Sequence, residues 1–147
     1  MSNFSKLQAI VNGFNFKKGD YVGAEDQLSR FAESYAQLSL EDAELLRSKF
    51  DSKDRLGWLR IASTLFVKGF ADADSMEKEK LCRIFFALYS FENLEFGFDG
   101  AMDVISVSDQ RKAMLAWLKG IGSNLANSLV MMPQKTIWKI RYSLPNE

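Results

Sequence analysis

The stretch from Arg55 to Phe91 constrains the fold more than any other part of the chain. In the run LGWLRIASTLFVKGF, residues 56–70, the polar side chains are Arg60, Ser63, Thr64 and Lys68, and Arg60, Thr64 and Lys68 recur at every fourth position. That spacing puts a thin wet stripe on an otherwise apolar helix. The run EKLCRIFFALYSF, ending at Phe91, repeats the design: Lys80, Arg83, Ala87 and Ser90 form one side, and Leu81, Cys82, Ile84, Phe85, Phe86, Leu88, Tyr89 and Phe91 cover the rest. Helices this apolar belong at the centre of a fold, covered on several sides. A central antiparallel pair is therefore expected, with its basic stripes reaching solvent or pairing with acids of a helix over Leu40 to Phe50.

Helical spacing continues on both sides of this pair. Phe4, Leu7, Ile10 and Val11 form one face of a short first helix ending near Gly13. Leu28, Phe31, Ala32, Tyr35 and Leu38 give a second face in a helix expected from Ala24. Ala43, Leu46 and Phe50 give a third, opened by Ser39 as N-cap with Asp42 three residues on. Asp51 or Ser52 is placed to cap the central helix, and Asp74 with Glu77 has the spacing of a capping box for the next one. Short connections of this kind make successive helices antiparallel neighbours. Further on, Ser108 and Asp109 restart the pattern with Met114, Trp117, Leu118 and Ile121 inward, and Gly120 and Gly122 stop or kink that helix. The segment FNFKKGDYVG reads as a loop or short hairpin, and the tail TIWKIRYSL alternates like a strand. The fold class is all-α: a compact bundle or stacked helical hairpins of about six helices, with a possible short β arm pairing residues near Phe14 and Trp138. The 147 residues suit one helical domain, 1–147, which at this length buries about 68–70% of its unfolded surface.

Composition excludes much familiar chemistry. The chain has no histidine, which removes the usual general base, the histidine-containing catalytic triads and histidine-ligated zinc. Its one cysteine, Cys82, lies in the apolar helix, where burial and inertness are expected. An EF-hand loop counted from Asp72 fails, because its later ligand positions fall on Met76 and Arg83. Gly120 and Gly122 are not followed by the third glycine of a dinucleotide fingerprint, since position 125 is Leu125. Glu92 with Glu95 is a pair of carboxylates of the type glycosidases use, though acids this close in sequence are ordinarily solvated. No catalytic residue, cofactor site or metal site is assigned. The 19 basic and 19 acidic residues balance, so no whole-molecule field draws the chain to nucleic acid or membrane. No run approaches the ~18 uninterrupted apolar residues of a membrane span, and the first residues lack a signal-peptide pattern. A cytoplasmic location is expected.

Two local features carry functional expectations. In the segment from Ser90 to Val104, Phe91, Leu94, Phe96 and Phe98 are interleaved with Glu92, Glu95, Asp99 and Asp103, with no base among them. Aromatic anchors inside an acidic rim are the usual energetic arrangement of a protein-binding surface. The same aromatics would equally plug the open end of the central helix pair. The leading expectation is a non-enzymatic binding protein, a small intracellular inhibitor, immunity-type or adaptor module, whose partner contacts are Phe91, Glu92, Leu94, Glu95, Phe96, Phe98 and Asp99. The rival is nucleic-acid binding through the basic C-terminal third, where Lys135, Lys139 and Arg141 would hold phosphates and Trp138 would stack on bases.

Overall fold

The structure is a computed structural model that describes residues 3–14, 21–92, 103–105 and 107–122. Six helices are described: α1 (Asn3–Asn12), α2 (Tyr21–Tyr35), α3 (Leu40–Ser48), α4 (Ser52–Gly69), α5 (Ser75–Glu92) and α6 (Ser108–Ile121). They pack on one another as an all-α bundle, with no strand among the described residues. The β arm is corrected at its first end. Phe14 closes a turn after α1, its N–H donating to the Val11 carbonyl, and its ring stands edge-on to Phe31 and Trp58. Trp138 and the rest of the tail lie outside the described residues.

The polar punctuation of the chain sets the helix starts. Asp42 N–H donates to Ser39 Oγ at 3.0 Å, Asp54 N–H to Asp51 Oδ1 at 2.9 Å, and Glu77 N–H to Asp74 Oδ1 at 2.8 Å. Each side-chain oxygen satisfies one of the amide donors that a helix start leaves without a partner. At α5 only half of a capping box forms, because the Glu77 carboxylate faces Lys80 and Glu25 instead of the Asp74 amide. One start differs from sequence expectation: Tyr21 to Gly23 belong to α2, which begins ahead of Ala24, whereas α6 starts at Ser108 as expected, preceded by Val107 in extended conformation. Gly122, at φ +89°, ends α6 in a backbone region that favours glycine.

α5 is the central helix. It packs most extensively against α4, next against α2, and also touches α3. Leu81, Cys82, Ile84, Phe85, Phe86, Leu88 and Phe91 are all at most 3% exposed, so α5 is covered around most of its girth. Each fully buried Leu or Phe contributes roughly 1.5–3 kcal/mol of transfer free energy, which makes this helix the largest apolar contribution among the described helices. One aromatic cluster, Phe66, Phe70, Phe85, Phe86 and Tyr89, fills the α4/α5 seam, and Trp117 of α6 closes it edge-on to Phe70. The α4–α5 turn is fixed by side chains. Lys78 donates to the Ala73 carbonyl at 2.6 Å with its ammonium 5.5 Å from the Phe70 ring centre, and the Gln110 side chain accepts from Ala71 N–H.

The wet stripes behave differently from expectation at two places. Arg60, Lys68 and Arg83 are exposed, but Ser90 is only 1% exposed, its hydroxyl 3.2 Å from that of Tyr35 in α2. The acids that meet the α5 stripe come from α2 and from α5 itself. Lys80 lies 2.9 Å from Glu25, and Arg83 lies 3.2 Å from Glu79. The reason is the neighbour relation: α5 presents Lys80 to α2, while the basic residue of α3, Arg47, runs to the far end of α5.

Candidate functional site

α5 ends against its own dipole. Its last residue is Glu92 and its last turn carries no basic side chain, so the carbonyls at its negative end need cations from elsewhere. Two arginines supply them. Arg47, from the last turn of α3, donates through Nε to the Phe91 carbonyl at 3.0 Å and to the Glu92 carbonyl at 3.1 Å, and through Nη2 to Glu92 again. Arg55, in the first turns of α4, donates through Nη1 to the same Glu92 carbonyl at 3.0 Å and through Nε to the Phe50 carbonyl at 3.2 Å. Arg55 is 9% exposed. Burial and the neighbouring Arg47 charge lower its pKa, with Glu92 and Asp51 pulling back. A guanidinium stays charged under such a perturbation, and hydrogen bonds from it are roughly twice as strong as neutral ones.

Beneath this clamp, Phe91 is the hub of a second aromatic cluster. Its ring centre lies 5.1 Å from Phe31, 5.9 Å from Tyr35, 6.3 Å from Phe50 and 6.2 Å from Trp58. Phe91 is 0% exposed, so this residue plugs the end of the bundle and offers no ring to a partner. That corrects its assignment as a contact residue. Glu92 is half-buried and its carbonyl is held by the two arginines.

The next described residues are Asp103, Val104 and Ile105. Ile105 is 0% exposed and Val104 packs against the core. The Tyr89 hydroxyl has a raised pKa, first from burial and then from the negative charges of Glu92 and Asp103. Residues 93–102 lie outside the described residues, and the described residues on either side of them, Glu92 and Asp103, are both acids. Leu94, Glu95, Phe96, Phe98 and Asp99 lie outside the described residues, as do Lys135, Trp138, Lys139 and Arg141 of the nucleic-acid reading. Of the basic third, Arg111, Lys112 and Lys119 are described; Lys112 and Lys119 are exposed on α6 and Arg111 is half-buried.

The buried groups that could act as nucleophiles are held in unreactive forms. Cys82 is 0% exposed, and burial pushes its thiol far above the usual range. Burial likewise raises the Tyr35 phenol, against the smaller opposing effects of its Ser90 hydrogen bond and the Arg47 charge. Among the described residues no three histidine, cysteine or acidic side chains gather to hold a metal ion, and no helix is long and apolar enough to cross a membrane.

Sequence reasoning missed Arg47 and Arg55. The available signal was the acidic, base-free end of α5, which demands an external cation; which cation answers depends on the placement of α3 and α4. Comparison with known protein families, curated proteins and solved structures finds no match.

Proposed function

We propose that this is a non-enzymatic binding protein that acts by protein–protein contact through the segment between Glu92 and Asp103, as a small intracellular inhibitor, immunity-type or adaptor module. The observation that supports the reading is that described residues before and after the segment, Glu92 and Ile105, are held by the body. Two buried or half-buried arginines hold the Glu92 carbonyl, and Ile105 is sealed in the core. Fixing the ends of a binding segment before a partner arrives lowers the ordering cost of association. The acids on either side, Glu92 and Asp103, add to Glu95 and Asp99 within the segment, so the surface it favours on a partner is basic. Phe96 and Phe98 supply apolar anchors, and the inert state of Cys82 and Tyr35 supports a scaffold role for the body.

The test compares immobilised wild-type protein with Phe96→Ala/Phe98→Ala and Glu95→Lys/Asp99→Lys variants, all shown to be folded by circular dichroism. The partner captured by the wild type is expected to be lost by the aromatic double variant. Capture by the charge-reversed variant should be slowed, most strongly at low salt. A folded aromatic double variant that retains every partner removes the segment from the account.

A further inference from the structure

We draw no further inference here: the strongest candidate, the groove between α2 and α5 lined by Ala32, Glu33, Met76, Glu79, Lys80 and Arg83, carries nothing, because its two cations are already paired with Glu25 and Glu79 and nothing among the described residues shows what covers it.

Discussion

The two-arginine clamp on α5 makes a quantitative prediction. Replacing Arg55 with Met keeps most of the apolar stem and removes the guanidinium. The Phe50 carbonyl then loses its bond from Nε, while the Glu92 carbonyl keeps the bonds from Arg47. Arg47→Met does the reverse: the Phe91 carbonyl loses its donor and Glu92 keeps Arg55. A hydrogen bond from a charged donor is worth about 1.5–3 kcal/mol, and partial exposure places each single variant near the low end, a loss of about 1.5 kcal/mol. Removing either arginine also relieves the Arg47–Arg55 repulsion, which adds to burial in lowering the Arg55 pKa, and this softens the single losses. In the double variant the Glu92 carbonyl has neither guanidinium, so the loss should reach about 4–5 kcal/mol, exceeding the sum of the singles by roughly 1–2 kcal/mol. Urea unfolding followed by far-ultraviolet circular dichroism and tryptophan fluorescence measures all three. With a slope of about 2 kcal/mol per molar, the double variant's midpoint falls by about 2 M. Additivity within about 0.5 kcal/mol would refute the shared-acceptor argument, since independent sites add to that precision.

Other consequences are checked more simply. Tyr35→Phe leaves the buried Ser90 hydroxyl without its partner and should cost about 1 kcal/mol, whereas Tyr35→Phe with Ser90→Ala should recover part of that loss by removing both polar groups; thermal melting distinguishes them. The raised Tyr35 pKa means the phenol stays protonated in the fold, so its contribution is complete below the ordinary tyrosine value of about 10 and erodes as pH rises above it. Absorbance at the tyrosinate band should accordingly show a group that ionises only with unfolding. Cys82 should resist thiol reagents in the native protein and react fully in denaturant, and rapid native labelling would contradict its burial. At the Glu25, Glu77 and Lys80 cluster, the Glu77 pKa is raised, first by its hydrogen bond to Glu25 and then by burial. Its stabilising contribution is therefore present at acid pH and lost as pH rises through its folded value. Glu77→Gln, which retains a donor without the charge, should raise the urea midpoint at pH 7 relative to wild type more than at pH 4; an equal shift at both would refute the raised Glu77 pKa.

The central pair was readable because its cues are local. A side chain's period along α4 and α5 reports how much of each helix is covered, and Ser39, Asp51 and Asp74 mark the starts because their oxygens reach amides only three residues away. The inward faces of α1, α2 and α6 follow from the same periodicity, with Leu7, Leu28, Phe31, Met114 and Leu118 buried. The candidate site was legible only as a composition, acids alternating with aromatics. Phe91 shows why that fell short: its sequence neighbours assign it to the acidic segment, while its ring belongs with Phe31, Tyr35, Phe50 and Trp58. Nothing in the spacing of those residues reveals that they share one volume.

By itself, then, the sequence determined the helices, their order and their greasy faces, since these depend on contacts within a turn or two of the chain. Only the tertiary structure decided the partners. Ser90 sits on a wet stripe by its period and is buried because α2 brings Tyr35 to it. Lys80 meets Glu25 of α2 instead of an acid of α3. Arg47 and Arg55, charged residues that a pattern places outside, turn inward because two other helices deliver them to the bare carbonyls at the end of α5. A buried carbonyl requires a donor but does not specify which one, and that choice is made by packing.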